Sequence, residues 1–201
     1  MKMMRSLVPA LLALSLGACM HAPGHRAMHG EPPTGWTPLL DGRDLAQWSP
    51  IGDANWRLAD GLAQADKGNG FLVSKQSYTN FRLRAVFWVD AEANSGIFIR
   101  CSEPTKVGAK NAYEVNVFDK RPEQNYATGA IVDVASPVVP MTAGGRWNVF
   151  EITARGDRFT VTLNGVRTVD QARDNRFGSG PIALQYAGGM VKFARVDILP
   201  L

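Results

Sequence analysis

The sequence predicts an all-β domain, built as an antiparallel two-sheet sandwich. Three observations carry this expectation. Short runs in which apolar and polar residues alternate recur along most of the chain, which is the period of strands with one buried face. Glycine, proline and the pairs Gly156-Asp157 and Asn164-Gly165 punctuate those runs, and such residues suit tight turns because they tolerate positive φ. No window carries the period of a long amphipathic helix. Many short strands separated in this way bury their apolar faces by packing as two sheets.

The chain opens on an export signal. Lys2 and Arg5 form a positive start, and Leu7 to Leu16 form an apolar core too short to span a bilayer as a stable helix. Leu16-Gly17-Ala18-Cys19 then reads as a lipobox, cleaved before Cys19, whose thiol becomes diacylated. Residues 1–18 are therefore expected to leave as a signal peptide. Met20 follows Cys19 where an Asp would favour inner-membrane retention, so sorting rules point to an outer-membrane lipoprotein facing the periplasm. Residues 19–33 read as a flexible tether holding all three histidines, His21, His25 and His29. Their spacing of four could align metal ligands on a helix. Pro23, Gly24 and Gly30 oppose that helix, and no cysteine or carboxylate completes a cluster. Residues 34–201 remain as one domain, with no internal repeat.

Loss of the signal changes the charge. The formal net charge of +4 falls to about +2 once Lys2 and Arg5 are gone. Lys and Arg are scattered, not gathered in a stripe, which argues against nucleic acid as a partner. Cys101 has no partner once Cys19 is lipidated, so no intrachain disulfide forms, and Cys101 reads as a buried thiol. The domain has no histidine, which removes the commonest general base.

Within the domain, Phe81 to Val89 places Phe81, Leu83, Ala85, Phe87 and Val89 on one face and Arg82, Arg84, Val86 and Trp88 on the other. Asn148 to Gly156 and Arg158 to Gly165 form a hairpin that begins a meander, and Lys192 to Leu199 is a further strand. The most informative stretch runs from Asn94 to Asp119. Alternation there sets Ile97, Ile99 and Cys101 against Phe98 and Arg100, and sets Tyr113, Val115 and Val117 against Glu114, Asn116 and Phe118. A cation, a carboxylate and an amide on adjacent strands suit a sugar or another polyol. They equally suit a solvated outer face with an incidental ion pair. Trp88 has a flat surface that could stack on a sugar ring or lie half-buried under a loop. Trp36, Trp48, Trp56 and Trp147 read as core or corner packing. Asp119 and Asp133 fall near the same region, and each could cap a turn.

The same stretches carry a resemblance. NSGIFIR (Asn94 to Arg100), YEVNVFD (Tyr113 to Asp119), TGAI (Thr128 to Ile131), GRWNVFEI (Gly145 to Ile152), TLNGV (Thr162 to Val166) and GPIALQ (Gly180 to Gln185) follow in order. Upstream stand GWTPLLDGRDLAQW (Gly35 to Trp48), NWRLADG (Asn55 to Gly61) and YTNFRL (Tyr78 to Leu83), the last read as one strand. Together these resemble the 3-keto-disaccharide hydrolase domain family. The resemblance implies a jelly roll of the concanavalin A-like or laminin-G-like kind and cleavage of glycosides whose sugar carries a ketone at carbon 3.

That chemistry needs a base for the acidified hydrogen at carbon 2 and a stabiliser for the enolate. Glu114 is the expected base, Arg100 or a bound cation the expected stabiliser, and Asn116 is expected to orient a hydroxyl. Trp88 and Gln185 are expected at the wall of the same groove. Two departures from the family pattern stand out. Asn116 occupies a position where many relatives have glutamine, and Ala187 stands where many carry a histidine. The sequence fixes no cofactor, and a divalent metal such as calcium is compatible with the site. The partners expected are a carbohydrate and, through the lipid on Cys19, a membrane. A lectin-like module that binds sugar without cleaving it, and a structural protein of the envelope, are the other readings.

Overall fold

The computed structural model describes residues 32–201. The export segment, Cys19, the three histidines and nearly all of the tether lie outside the described residues. Among the described residues the strands are β1 (Thr37–Leu40), β2 (Trp48–Gly52), β3 (Arg57–Ala59), β4 (Leu62–Ala65), β5 (Gly70–Tyr78), β6 (Phe81–Val89), β7 (Asn94–Ile99) and β8 (Tyr113–Val117). After a 3-10 turn, η1 (Gln124–Tyr126), come β9 (Arg146–Arg155), β10 (Arg158–Leu163), β11 (Val166–Arg173), β12 (Gly180–Gly188) and β13 (Val191–Pro200).

All named strand pairs are antiparallel. The larger sheet has the order β11-β10-β9-β6-β13-β4-β3, with β1 also on β13, and the smaller has β2-β5-β12-β7-β8. Strands far apart in sequence are neighbours, as where β12 lies between β5 and β7. The expected jelly-roll sandwich is the fold observed.

Alternation explains the packing. From β6, Phe81, Leu83, Ala85, Phe87 and Val89 enter the core between the sheets, where they meet Phe150, Ile152, Phe159, Val161 and Phe193. Phe87 stacks on Phe150 with centroids 5.1 Å apart. Each such side chain contributes roughly 1.5–3 kcal/mol by leaving water. The turns also follow the sequence. β9 and β10 join at Gly156 (φ 58°), and β10 and β11 join at Asn164 and Gly165 (φ 51° and 82°), residues that occupy this region at low cost. The run Tyr78 to Leu83 is not one strand: Thr79 and Asn80 turn the chain from the smaller sheet to the larger.

Alternation fails at Arg100, with large consequences. Arg100 follows β7 in the left-handed region (φ 54°), which breaks the two-residue period. Its side chain, expected beside Phe98, instead turns into the rim between the sheets and is 1% exposed. Nε and Nη2 donate to the Thr79 carbonyl (2.8 and 2.5 Å), and Nη1 donates to those of Gly156 (2.8 Å) and Phe177 (3.3 Å). The guanidinium lies 5.2 Å from the Phe159 ring centroid. Arg100 thus ties the β5–β6 turn, the β9–β10 turn and the approach to β12 to one point. The same break moves Cys101 from the face of Ile97 and Ile99 to that of Phe98. Burial there pushes its thiol up to about 12, which agrees with an inert buried cysteine.

Candidate functional site

The outer face of the smaller sheet carries a second apolar cluster and, beside it, a group of buried polar side chains. Register aligns them in two transverse rows. One row runs Ile51–Phe71–Gln185–Gly96–Asn116 across β2, β5, β12, β7 and β8; the next runs Ser49–Val73–Ala183–Phe98–Glu114. Val73, Phe98 and Ala183 pack with Cys101 and Ala112, and with Val107 from the loop between β7 and β8. Phe71 meets Phe98 edge to face at 5.3 Å. The polar end of this face is Glu114, Asn116 and Gln185 around Gly96.

Glu114 is 8% exposed. Removal from water disfavours its charged form and pushes the carboxyl up to about 7 from an ordinary 4.5. The positive charge of Arg121 opposes this rise, and the negative charge of Asp133 adds to it. A carboxyl poised near neutrality is suited to accepting a proton.

Asn116 is fully buried. Its Nδ2 donates to the Tyr126 carbonyl at 2.5 Å, while its Oδ1 is buried without a hydrogen-bond partner. The Oε1 of half-buried Gln185 is likewise unpartnered. Gly96 lies between them, and its lack of a side chain lets the neighbours pack closely over it. A Cβ at Gly96 would stand 3.2 Å from the Val115 carbonyl oxygen and 3.4 Å from both Gln185 Oε1 and Glu114 Cγ. Outside β8, the chain from Gly129 to Val132 seals the strand edge: the Asn116 amide donates to the Ala130 carbonyl and the Val132 amide to that of Glu114.

The fold places Glu114, Asn116 and Gln185 side by side, and two other expected residues do not join them. Arg100 is engaged with carbonyls at the sandwich rim and does not line this face. Trp88 does point outward, but from β6 of the opposite sheet, across from Trp147 on β9 and with Lys192 Nζ 5.1 Å from its ring centroid. Alternation assigns a side chain to the inner or outer face of its own strand. It does not say which sheet that strand joins. Asp119 acts within its loop, accepting hydrogen bonds from Thr128 Oγ1 (2.5 Å), the Ala143 amide (3.0 Å) and the Gly144 amide (2.9 Å).

Two residues at the site were not foreseen. Arg121 supplies the cation whose field reaches Glu114. Its Nε lies 3.4 Å from Glu123 Oε2 and has no hydrogen-bond partner. It follows β8 in a turn, where periodicity carries no information. Phe71, in register with Gln185, supplies the aromatic surface; its alternation with Leu72, which enters the main core, was the available signal. Among the described residues, no group of three or more His, Cys, Asp or Glu is placed to hold a metal ion. A nearby cleft of about 260 Å³ lies between η1 and the Ser136–Met141 segment; its lining includes Gln124, Thr128 and Met141 and no ionisable group.

The sequence profile of the 3-keto-alpha-glucoside-1,2-lyase-like domain matches residues 35–199. The chain belongs to that family. No protein with a curated function matched the sequence. Among solved structures, the family fold recurs in two proteins from Parabacteroides distasonis, each designated a "putative glycosyl hydrolase". One has TM-score 0.71 and 19% identity over 83% of this chain and 94% of its own. The other has TM-score 0.69 and 24% identity over 83% and 99%. A carbohydrate binding module, CBM66 from Bacillus subtilis, is similar at TM-score 0.56 and 19% identity, over 81% of this chain and 94% of its own. At these identities the likeness is one of fold.

Proposed function

We propose that the protein cleaves glycosides whose sugar carries a ketone at carbon 3, with Glu114 as the general base. The observation that carries this reading is a buried carboxyl, Glu114, set on one sheet face beside the unpartnered oxygens of Asn116 and Gln185; its removal from water raises its pKa toward neutrality. The ketone acidifies the hydrogen at carbon 2. Glu114 takes that proton, and the electron pair of the broken C–H bond forms the enolate. The enolate then collapses, restoring the ketone, forming a double bond between carbons 1 and 2, and expelling the glycosidic oxygen, which leaves as an alcohol after taking a proton. Water adds to the unsaturated sugar in a later step if the net result is hydrolysis. The positive charge of Arg121 is the field available to favour negative charge here.

Carbohydrate-related chemistry is supported by family membership; the ketone requirement and the role of Glu114 are what the experiment addresses. Turnover of a chromogenic 3-keto-glucoside is measured for the unaltered protein and for Glu114→Gln. Loss of at least ~100-fold is expected, the scale of a missing general base. Undiminished cleavage by Glu114→Gln sinks the assignment, and sugar binding without cleavage by the unaltered protein turns the reading to a lectin-like one. The proposal extends to the cell envelope: Cys19 bears lipid and anchors the domain at the outer membrane, facing the periplasm. An unmodified Cys19 in mass spectra of native protein would overturn that part.

A further inference from the structure

Two carbonyl oxygens on the smaller sheet are buried without a donor, Asn116 Oδ1 and Gln185 Oε1. The Asn116 orientation is fixed, because reversing its amide would set an oxygen against the Tyr126 carbonyl oxygen that now accepts from Nδ2. Buried acceptors are normally satisfied, and one left alone loses its hydration without return. These two flank the same glycine in one transverse row. Gly96 lets these side chains close over the strand: a Cβ there would stand 3.2 Å from the Val115 carbonyl oxygen and 3.4 Å from both Gln185 Oε1 and Glu114 Cγ. Neither oxygen has a donor within the protein.

We propose that the closed polar cluster over Gly96 is a hydroxyl-reading subsite that opens when a sugar displaces the Gln185 side chain, so that two hydroxyl groups of one pyranose ring donate to Gln185 Oε1 and Asn116 Oδ1. The half-buried Gln185 side chain turns aside as the ring enters, and Phe71 beside it offers an apolar surface to the ring's C–H face. This rests on the reading of the same site given above and adds a consequence. The donors that these two oxygens lack belong to the sugar's hydroxyls and not to its ketone, so unoxidised glycosides occupy the subsite as competitive ligands. A metal cation is a poorer occupant, since Glu114 is the one carboxylate in the two rows and the charge of Arg121 already acts on it.

The test follows the side-chain amide signals of ¹⁵N-labelled full-length protein. Methyl α-D-glucopyranoside, its 2-deoxy and 4-deoxy forms, and calcium chloride alone are added in separate titrations. The Gln185 and Asn116 amides are expected to shift with the parent sugar. Gln185→Met should weaken binding about tenfold, and Gln185→Glu, which keeps an acceptor, should stay within about threefold. At least one deoxy form should lose a similar factor. Thermal unfolding checks that both variants are folded. The proposal falls if neither amide responds to the sugar, if Gln185→Met binds as well as the unaltered protein, or if calcium alone produces the shifts. Cleavage of a 3-keto-glucoside is assayed in parallel. Cleavage together with unchanged Gln185→Met affinity removes the subsite and leaves Glu114 as base. Affinity lost in Gln185→Met with no cleavage by the unaltered protein does the reverse.

Discussion

Glu114 makes the stability of this domain fall as pH rises toward neutrality, and the size of the effect can be worked out. In the unfolded chain the carboxyl ionises near 4.5, and burial lifts it to about 7 in the folded protein. Between these values the folded state holds a proton that the unfolded state has released, so unfolding is increasingly favoured. The contribution of the neutral carboxyl is fully present below pH 4.5 and is lost as pH rises through 7. At ~1.36 kcal/mol per pH unit the whole span amounts to about 3 kcal/mol. Urea unfolding of the unaltered protein and Glu114→Gln at intervals from pH 4 to 8.5 isolates this group, because all others titrate in both. The difference between the two curves should move by about 3 kcal/mol in favour of the variant across that range. Cleavage of a 3-keto-glucoside should show the opposite dependence, rising about tenfold per pH unit below an apparent pKa near 7, since the base must be ionised to act. Parallel stability curves would show that Glu114 titrates normally and would remove the physical basis for its role.

Three further outcomes are expected. Arg100→Lys should destabilise the fold by about 2–4 kcal/mol in denaturant titrations, because a point ammonium cannot serve carbonyls from three segments at once. Its activity per folded molecule should be unchanged, and a selective fall in kcat would return Arg100 to the site. Trp88→Ala should leave sugar affinity intact while Phe71→Ala weakens it, measured by the same amide titration, since only Phe71 lies on the face of Glu114. Asp119→Ala should cost about 2–4 kcal/mol by stranding the Ala143 and Gly144 amides and the Thr128 hydroxyl; a loss under 1 kcal/mol would show that solvent replaces the carboxylate.

The sequence by itself determined the fold class, strands such as β6, β9 and β10, and the turns at Gly156 and Asn164-Gly165, because side-chain direction along a strand is a local property with a period of two. It also determined that Glu114 and Asn116 share one face of β8, since that strand keeps its period, while Gln185 was expected beside them from the family resemblance and reaches them through the pairing of β12 with β7. What the period could not reveal depended on contacts distant in sequence. The left-handed conformation of Arg100 reverses the expected face, and it is held by carbonyls of Thr79, Gly156 and Phe177, segments 21 to 77 residues away. Sheet membership put Trp88 on the far side of the molecule and Phe71 beside Gln185, through pairings between strands that are not neighbours in the chain. The charge state of Glu114 was equally out of reach. It comes from the loss of water around a buried side chain and from the charges of Arg121 and Asp133, so only the assembled tertiary structure could decide it.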